Sequence, residues 1–408
     1  MVSRRSSFLV LAPLAALLAV LVDPAPAAAC GGMVFPDHEL RPGGMSDQEI
    51  AVVWLPEETV LVASAGYKGA EAAEFAFILP LASVPADVRD ADPALFLALD
   101  EYSAPRIRVL VDDEQPSLCG GGVRNAAGGD FGGGPGEVMV HQRGQTATYE
   151  WVVVGGDTGT AVADWLDSAG FALPDDYAAA LTPYVDGGSF FFAARVKADA
   201  DAGALAPIEL HLPPSRPDTF RIPLAIAAHS LAPGEPLGVT AYFLAGGPVL
   251  TANYLSEAVD PDELLARSDS ETNYGDLERA ILDTEGGAWI IDYNNPLVVA
   301  DLALAYELGV EAGRIDPADS DIGFLDDFAE RLGLDQIHLT RLRTELLKDQ
   351  LRDLELRPAN GPPVLNSYDV VYDDRPAAAG CVVDRTGRLP QLLLLVPVLA
   401  WIRRRPRR

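Results

Sequence analysis

The chain has 408 residues, enough for one large domain or two modest ones, and 49% apolar with 22% charged residues excludes a disordered polymer. Its formal net charge is −30. Setting aside two basic residues and one acidic residue before Cys30, and seven and one after Cys381, leaves 21 basic against 58 acidic residues. That balance of −37 excludes a body that binds DNA or RNA.

Residues 1–29 open with Arg4 and Arg5, run apolar from Phe8 to Val22 and end in Ala27-Ala28-Ala29. This is the three-part layout of a secretory signal, with cleavage by signal peptidase expected after Ala29. Asp23-Pro24 separates the apolar run from Cys30, which favours ordinary cleavage over lipidation of that cysteine. Export makes a disulfide possible. There are three cysteines, and if Cys381 belongs to the tail, Cys30 and Cys119 remain as a pair or as two free thiols.

The body is expected to span residues 30–357, β-rich over 30–155, mixed over 156–295 and helical over 296–357. EIAVVWLPE and TVLVASAGYKG read as paired strands around a Pro56-Glu57-Glu58 turn, and EFAFILPL as a third strand. DPALFLALDEY predicts a short helix with Asp92 at its cap and Pro93 in its first turn. PRIRVLVDD is a strand, and the glycine-rich LCGGGVRNAAGGDFGGGPGE lacks the Lys-Ser/Thr ending of a phosphate loop. EVMVHQR and TATYEWVVVGG predict a further strand pair. In DTGTAVADWLDSAGF, Val162, Trp165, Leu166 and Ala169 share one face of a helix that Gly170 ends.

PDDYAAALTPYV follows as a second helix, then strands at SFFFAARVKA, PIELHLP, FRIPLAIAAHS and LGVTAYFLA, a helix at GDLERAILDTEGG and a strand at AWIIDYNN. PLVVADLALAYELG and DIGFLDDFAERLG are helical. HLTRLRTELLKDQLRDLELRP fits either one helix or strand, turn and strand. Residues 358–380 have linker composition. Strands in succession with a few inserted helices argue for an antiparallel-rich α+β fold.

Residues 381–408 close the chain with Cys381, an apolar run over 389–402 and five arginines from Arg403 to Arg408. Fourteen residues of helix extend ~21 Å, short of a ~30 Å hydrocarbon core. The run therefore suits a pause in the membrane, oriented by its arginines. The tail resembles bacterial C-terminal sorting tails of the myxobacterial type, in which a protease cuts near a cysteine that follows small residues. AAAGC (Ala377 to Cys381) matches that motif, and VVDRTGR is a longer, more charged spacer than usual. The resemblance implies a sorting protease as a partner, favoured over an uncleaved anchor.

Within the body, ACGG, VASAGYKGAEAAEFAFILPLASVP, YEWVVVGGDTGTAVADWLDSAGFALP, PIELHLP and HLTRLRTELL resemble the bacterial domain-of-unknown-function family 2330. The likeness spans most of 30–357 and implies an exported protein. No activity is established for that family, so no catalytic residue carries over. Its members often begin CGGFFC; this chain reads CGGMVF, which leaves Cys119 as the one partner within the body for Cys30.

The five histidines fall in no metal spacing, and His211 and His229 read as half-buried histidines in strands. The most site-like feature is acidic. Asp319, Asp321, Asp327 and Glu330 echo positions 1, 3, 9 and 12 of a calcium loop, but Phe324 stands where the turn needs glycine. An N-capped helix accounts for the same acids. No cofactor is implied. The expected function is that of an exported surface protein, held at the cell envelope through its C-terminus, that binds or builds. The alternative is an extracellular hydrolase with a carboxylate pair among Asp157, Asp164, Asp175 and Asp176.

Overall fold

The computed structural model describes residues 32–34, 48–64, 76–111, 138–171, 173, 177–197, 206–214, 218–231, 234–268 and 270–372. Strand β1 (Gly32–Val34) is followed by the hairpin of β2 (Gln48–Trp54) and β3 (Thr59–Ser64), closed where Leu55 N–H meets Glu58 O. Next come β4 (Ala76–Leu81), β5 (Asp87–Asp90), helix α1 (Ala94–Ser103) and β6 (Arg106–Val111). Asp92 accepts the Ala94 N–H at the start of α1, as its capping role requires.

A second hairpin, β7 (Val138–Gln145) and β8 (Tyr149–Gly156), leads into α2 (Gly159–Ser168). Thr158 caps α2 by accepting the Ala161 N–H, and Gly170 ends it with φ of 90°. Then follow α3 (Tyr177–Asp186), β9 (Phe190–Val196), β10 (Ile208–Leu212), β11 (Phe220–Ile222), β12 (Leu237–Ala245), β13 (Val249–Thr251) and β14 (Leu255–Glu257). The chain continues through α4 (Tyr274–Leu282), β15 (Ala288–Val298), α5 (Ala300–Glu311), α6 (Gly323–Leu332), β16 (Gln336–Leu346), β17 (Leu354–Pro358) and β18 (Ser367–Tyr372).

Two large sheets and the helices on their outer faces stack in four layers, with two small sheets, β11-β17-β13 and β18-β6, beside them. An eight-stranded sheet has the order β14-β15-β16-β12-β2-β3-β10-β5, and a five-stranded sheet the order β1-β4-β9-β8-β7. Alternation along the strands decides what each face meets. Ile50, Val52, Leu61, Phe243 and Leu342 of the larger sheet pack against Phe77, Leu79, Val153 and Phe192 of the smaller one. On its other face the larger sheet turns Ala51, Val53, Val60, Val62 and Leu339 to α1, α5 and α6. The smaller sheet gives Ile78, Val154, Phe191 and Ala193 to α2 and α3. Both sheets are thus covered twice, and β2, β3 and β12 are apolar on both faces, as the runs AVVW and TVLVA require. The fold is α+β with largely antiparallel sheets; β12 and β2 pair in parallel, as do β14 with β15 and β18 with β6.

Three expectations change. Of the two readings open for residues 338–358, the helix, and with it a helical 296–357, does not hold. The stretch is strand, turn and strand, because β16 pairs along its whole length with both β12 and β15. Residues 296–357 therefore hold two helices followed by two strands. The linker composition after 358 conceals β18, which returns to pair with β6 from Ser367↔Arg106 to Tyr372↔Val111. FRIPLAIAAHS is a three-residue strand followed by a 3-10 turn, Ala225–Ser230, so His229 lies in that turn. Among the described residues no helix is long and apolar enough to cross a membrane; the run over 389–402 lies outside them.

Candidate functional site

Among the described residues β7 is an edge of the smaller sheet, and its hairpin with β8 is the most polar part of the layer. A β-bulge between Val140 and Gln142 shifts the register, so that Arg143 stands opposite Val152 and Gln145 opposite Glu150. Val152 packs on the α2–α3 side of the sheet, and these pairings put Arg143, Gln145 and Glu150 on that same side. The end of α2 brings Trp165 over them, and Phe171 follows its terminating glycine. Strands and helix end together enclose an open cavity of about 360 Å³ with an apolar wall and a polar rim.

Glu150 Oε2 lies 3.9 Å from Arg195 Nη2 on the neighbouring β9, a loose ion pair beyond hydrogen-bond reach. On the other side of the hairpin, the Trp151 ring covers Gly144, where an added Cβ would stand 2.5 Å from Cζ2. The Tyr184 hydroxyl of α3 donates to Asp353 Oδ1 over 2.6 Å, and Asp353 also accepts the Ala225 N–H over 3.1 Å. Burial holds the Asp353 carboxyl above its usual range against these two donors. A second cavity, about 620 Å³, borders the other end of β7, next to His141, Gly155 and Phe190.

Elsewhere ionisable groups converge in two buried networks that join helices to the larger sheet. Glu209 of β10 is fully buried and accepts from Arg331 of α6 through Nη1 (2.5 Å) and Nη2 (3.1 Å). His211 places Nε2 at 2.7 Å from Glu209 and Nδ1 at 2.9 Å from Glu58 in the β2–β3 turn. Both ring nitrogens face carboxylates, and a neutral imidazole has one N–H, so this geometry calls for the imidazolium. The hydrogen bond to Glu209 accordingly raises the His211 pKa, against burial and with help from Glu58. Burial pushes the Glu209 carboxyl up, but the His211 and Arg331 hydrogen bonds outweigh it and hold the group below its ordinary value.

The second network centres on Asp292, fully buried at a bulge of β15. Its Oδ2 lies 3.2 Å from Arg341 Nε and 3.0 Å from Arg343 Nε. Arg341 continues to Asp100 of α1 over 2.8 Å, and Arg343 to Glu278 of α4. The Arg341 guanidinium also lies over the Tyr242 ring, 5.4 Å from its centre. These chains of alternating charge clamp α1, α4 and α6 in place.

A family described as uncharacterized protein conserved in bacteria, domain-of-unknown-function family 2330, matches residues 24–355. The chain belongs to this family. No curated protein matches it. A crystal structure of a mutated baculovirus P35 after caspase cleavage is similar at 10% identity, covering 50% of this chain and 68% of that one, with a TM-score of 0.30. So slight a likeness carries neither fold nor function.

In this family 2330 protein the acids of the calcium-loop pattern are split between the segment that precedes α6 and α6 itself. Asp321 accepts the Gly323 N–H at the start of α6, and its own N–H donates to Asp92. Asp327 and Glu330 are exposed within α6, and the backbone of Asp319 belongs to a preceding 3-10 turn. Among the described residues no three His, Cys, Asp or Glu side chains gather to hold a metal. Ala29, Cys30, Cys119 and Cys381 lie outside the described residues, as do Asp175 and Asp176. Asp157 and Asp164 are both exposed; Asp157 borders the second cavity and Asp164 belongs to α2. Trp165 was expected on the apolar face of α2, and it is half-buried and lines the groove. Arg143, Gln145 and Glu150 carry no motif. Their one sequence signal is a strand pair with polar residues on the side that a Trp-bearing helix then covers.

Proposed function

We propose that the protein is exported, held at the cell envelope through its C-terminal tail, and binds a small ligand in the groove between α2 and the β7–β8 hairpin. The groove carries the binding part of this reading. Its volume of about 360 Å³ falls in the range of small-molecule sites, and its aromatic wall faces a few polar groups mounted on regular elements. The signal layout of residues 1–29 and the apolar run over 389–402 with its arginines support export and anchoring.

Fractionation of cells expressing the full chain, followed by intact mass of the recovered protein, tests the location. The expected species sits in the envelope fraction and begins at Cys30. Recovery from the cytosol with Met1 and the final arginines in place would overturn export. Ligand-observed NMR of the envelope-derived protein against pooled sugars, amino acids, dicarboxylates and short peptides tests binding. At least one class should bind and be weakened by Trp165→Leu; no binding at the groove refutes the reading.

A further inference from the structure

We infer that the groove ligand is a neutral carbohydrate, a sugar ring or short glycan; this rests on the groove being the binding site. The lining is divided in a way that few ligands match. Trp165 and Phe171, with Ala169, Val152 and Ala193, form an apolar wall, while Arg143, Gln145 and Glu150 form a polar rim. Gln145 and Glu150 oppose each other across the hairpin, which sets their Cβ atoms ~5 Å apart. Arg143 stands two residues along the same strand, ~7 Å from Gln145. One sugar ring with its hydroxyls spans such a triangle.

The chemistry of the three groups narrows the choice. Arg143 only donates, Glu150 only accepts and Gln145 does both, so the rim suits groups that can act as donor and acceptor. Hydroxyls do this. The C–H face of a sugar is apolar and lies flat on an aromatic ring, as the Trp165 wall allows. A wholly apolar ligand would desolvate the rim without replacing its hydrogen bonds.

An anion meets Glu150 at contact and the acidic body at a distance. A cation meets Arg143 and, behind Glu150, Arg195. An extended peptide would seek the edge of β7, which no other described strand pairs, but the bulge at Val140–Gln142 breaks the ladder it needs. A neutral polyol ring with one apolar face avoids each of these penalties.

The test titrates the mature, envelope-derived protein with a panel of neutral hexose, pentose, deoxyhexose and N-acetylhexosamine mono- and oligosaccharides. Uronic-acid oligosaccharides and neutral tetrapeptides run beside it. Calorimetry should detect binding of a neutral saccharide that changes little between low and high salt. Trp165→Leu should weaken it about tenfold or more, equal to one lost aromatic contact and its ordering. Glu150→Gln, which keeps shape and fold, should weaken it severalfold, and His141→Ala in the second cavity should leave it unchanged.

Binding of acidic saccharides or peptides at the groove without neutral ones overturns the carbohydrate assignment and leaves a binding groove standing. Binding of neutral sugars that His141→Ala abolishes and Trp165→Leu does not overturns the location. Silence from all three classes overturns the carbohydrate assignment, and only silence from the wider pool of amino acids and dicarboxylates as well removes the groove reading.

Discussion

Replacing Glu209 by Gln keeps the volume of a fully buried side chain and removes the charge that Arg331 and His211 share. The amide offers one acceptor, while its NH₂ must face a group that also donates. At least two charge-assisted bonds of ~1.5–3 kcal/mol each are compromised. Arg331 is 28% exposed and His211 keeps Glu58, so solvent and the second acid recover part of the loss. A cost of about 3 kcal/mol follows, at the lower end of what breaking a buried pair removes. In a body of this size that is roughly 4–6 °C of melting temperature.

The pH dependence gives a second reading of the same substitution. A base whose pKa is raised on folding adds stability that is complete below its ordinary value of about 6.5 and is lost as pH climbs through the folded value. An acid whose pKa is lowered adds stability above its ordinary value of about 4.3 and loses it as pH falls through the folded value. Urea denaturation of wild type and Glu209→Gln at several pH values should therefore show the largest difference near pH 5–6.5. The difference should shrink towards pH 9. A difference below about 1 kcal/mol, or one that grows with pH, refutes an imidazolium held between two glutamates.

Asp292→Asn should cost about 3–5 kcal/mol in urea denaturation, because it leaves Arg341 and Arg343 in the interior without their shared counter-charge. Gly159→Ala should lower stability by about 1–3 kcal/mol, since the new Cβ falls on the Ala178 carbonyl and Thr182 of α3. Gly275→Ala in α4 meets nothing within 4 Å and should raise stability by about 0.5–1 kcal/mol in the same assay.

Local pattern accounts for much of the architecture. The apolar runs of SFFFAARV and AVVW foretell strands buried on both faces, and Asp92 and Gly170 mark helix ends as their chemistry requires. What escapes local pattern is decided by partners distant in sequence. HLTRLRTEL spaces its leucines so that helix and strand compete, and two neighbouring strands settle the matter by satisfying its backbone on both sides. Tyr368 and Val370 alternate within a segment rich in Pro and Asp, and only β6, some 260 residues earlier, makes them a strand.

The groove is obscure for a similar reason. Arg143 and Gln145 look like the wet face of a hairpin and both stay exposed; only the end of α2 beside them turns that face into the rim of a groove. His211 is half-buried and satisfied, as its strand position suggests; Glu209 lies two residues away, but Glu58 and the Arg331 that pairs with Glu209 are too distant in sequence to be read.

The sharpest test of a binding groove at α2 uses the tryptophans as internal reporters. Trp165 borders the groove from α2, whereas Trp151 packs on the opposite face of the hairpin and Trp54 and Trp289 lie in the core between the sheets. With indole N–H signals assigned by Trp→Phe substitution, titration with the neutral saccharide that binds best should move Trp165 ahead of every other tryptophan. The Trp54 and Trp289 signals should stay in place. A titration in which Trp165 is silent, or in which the core tryptophans move as far as it does, contradicts a ligand seated there.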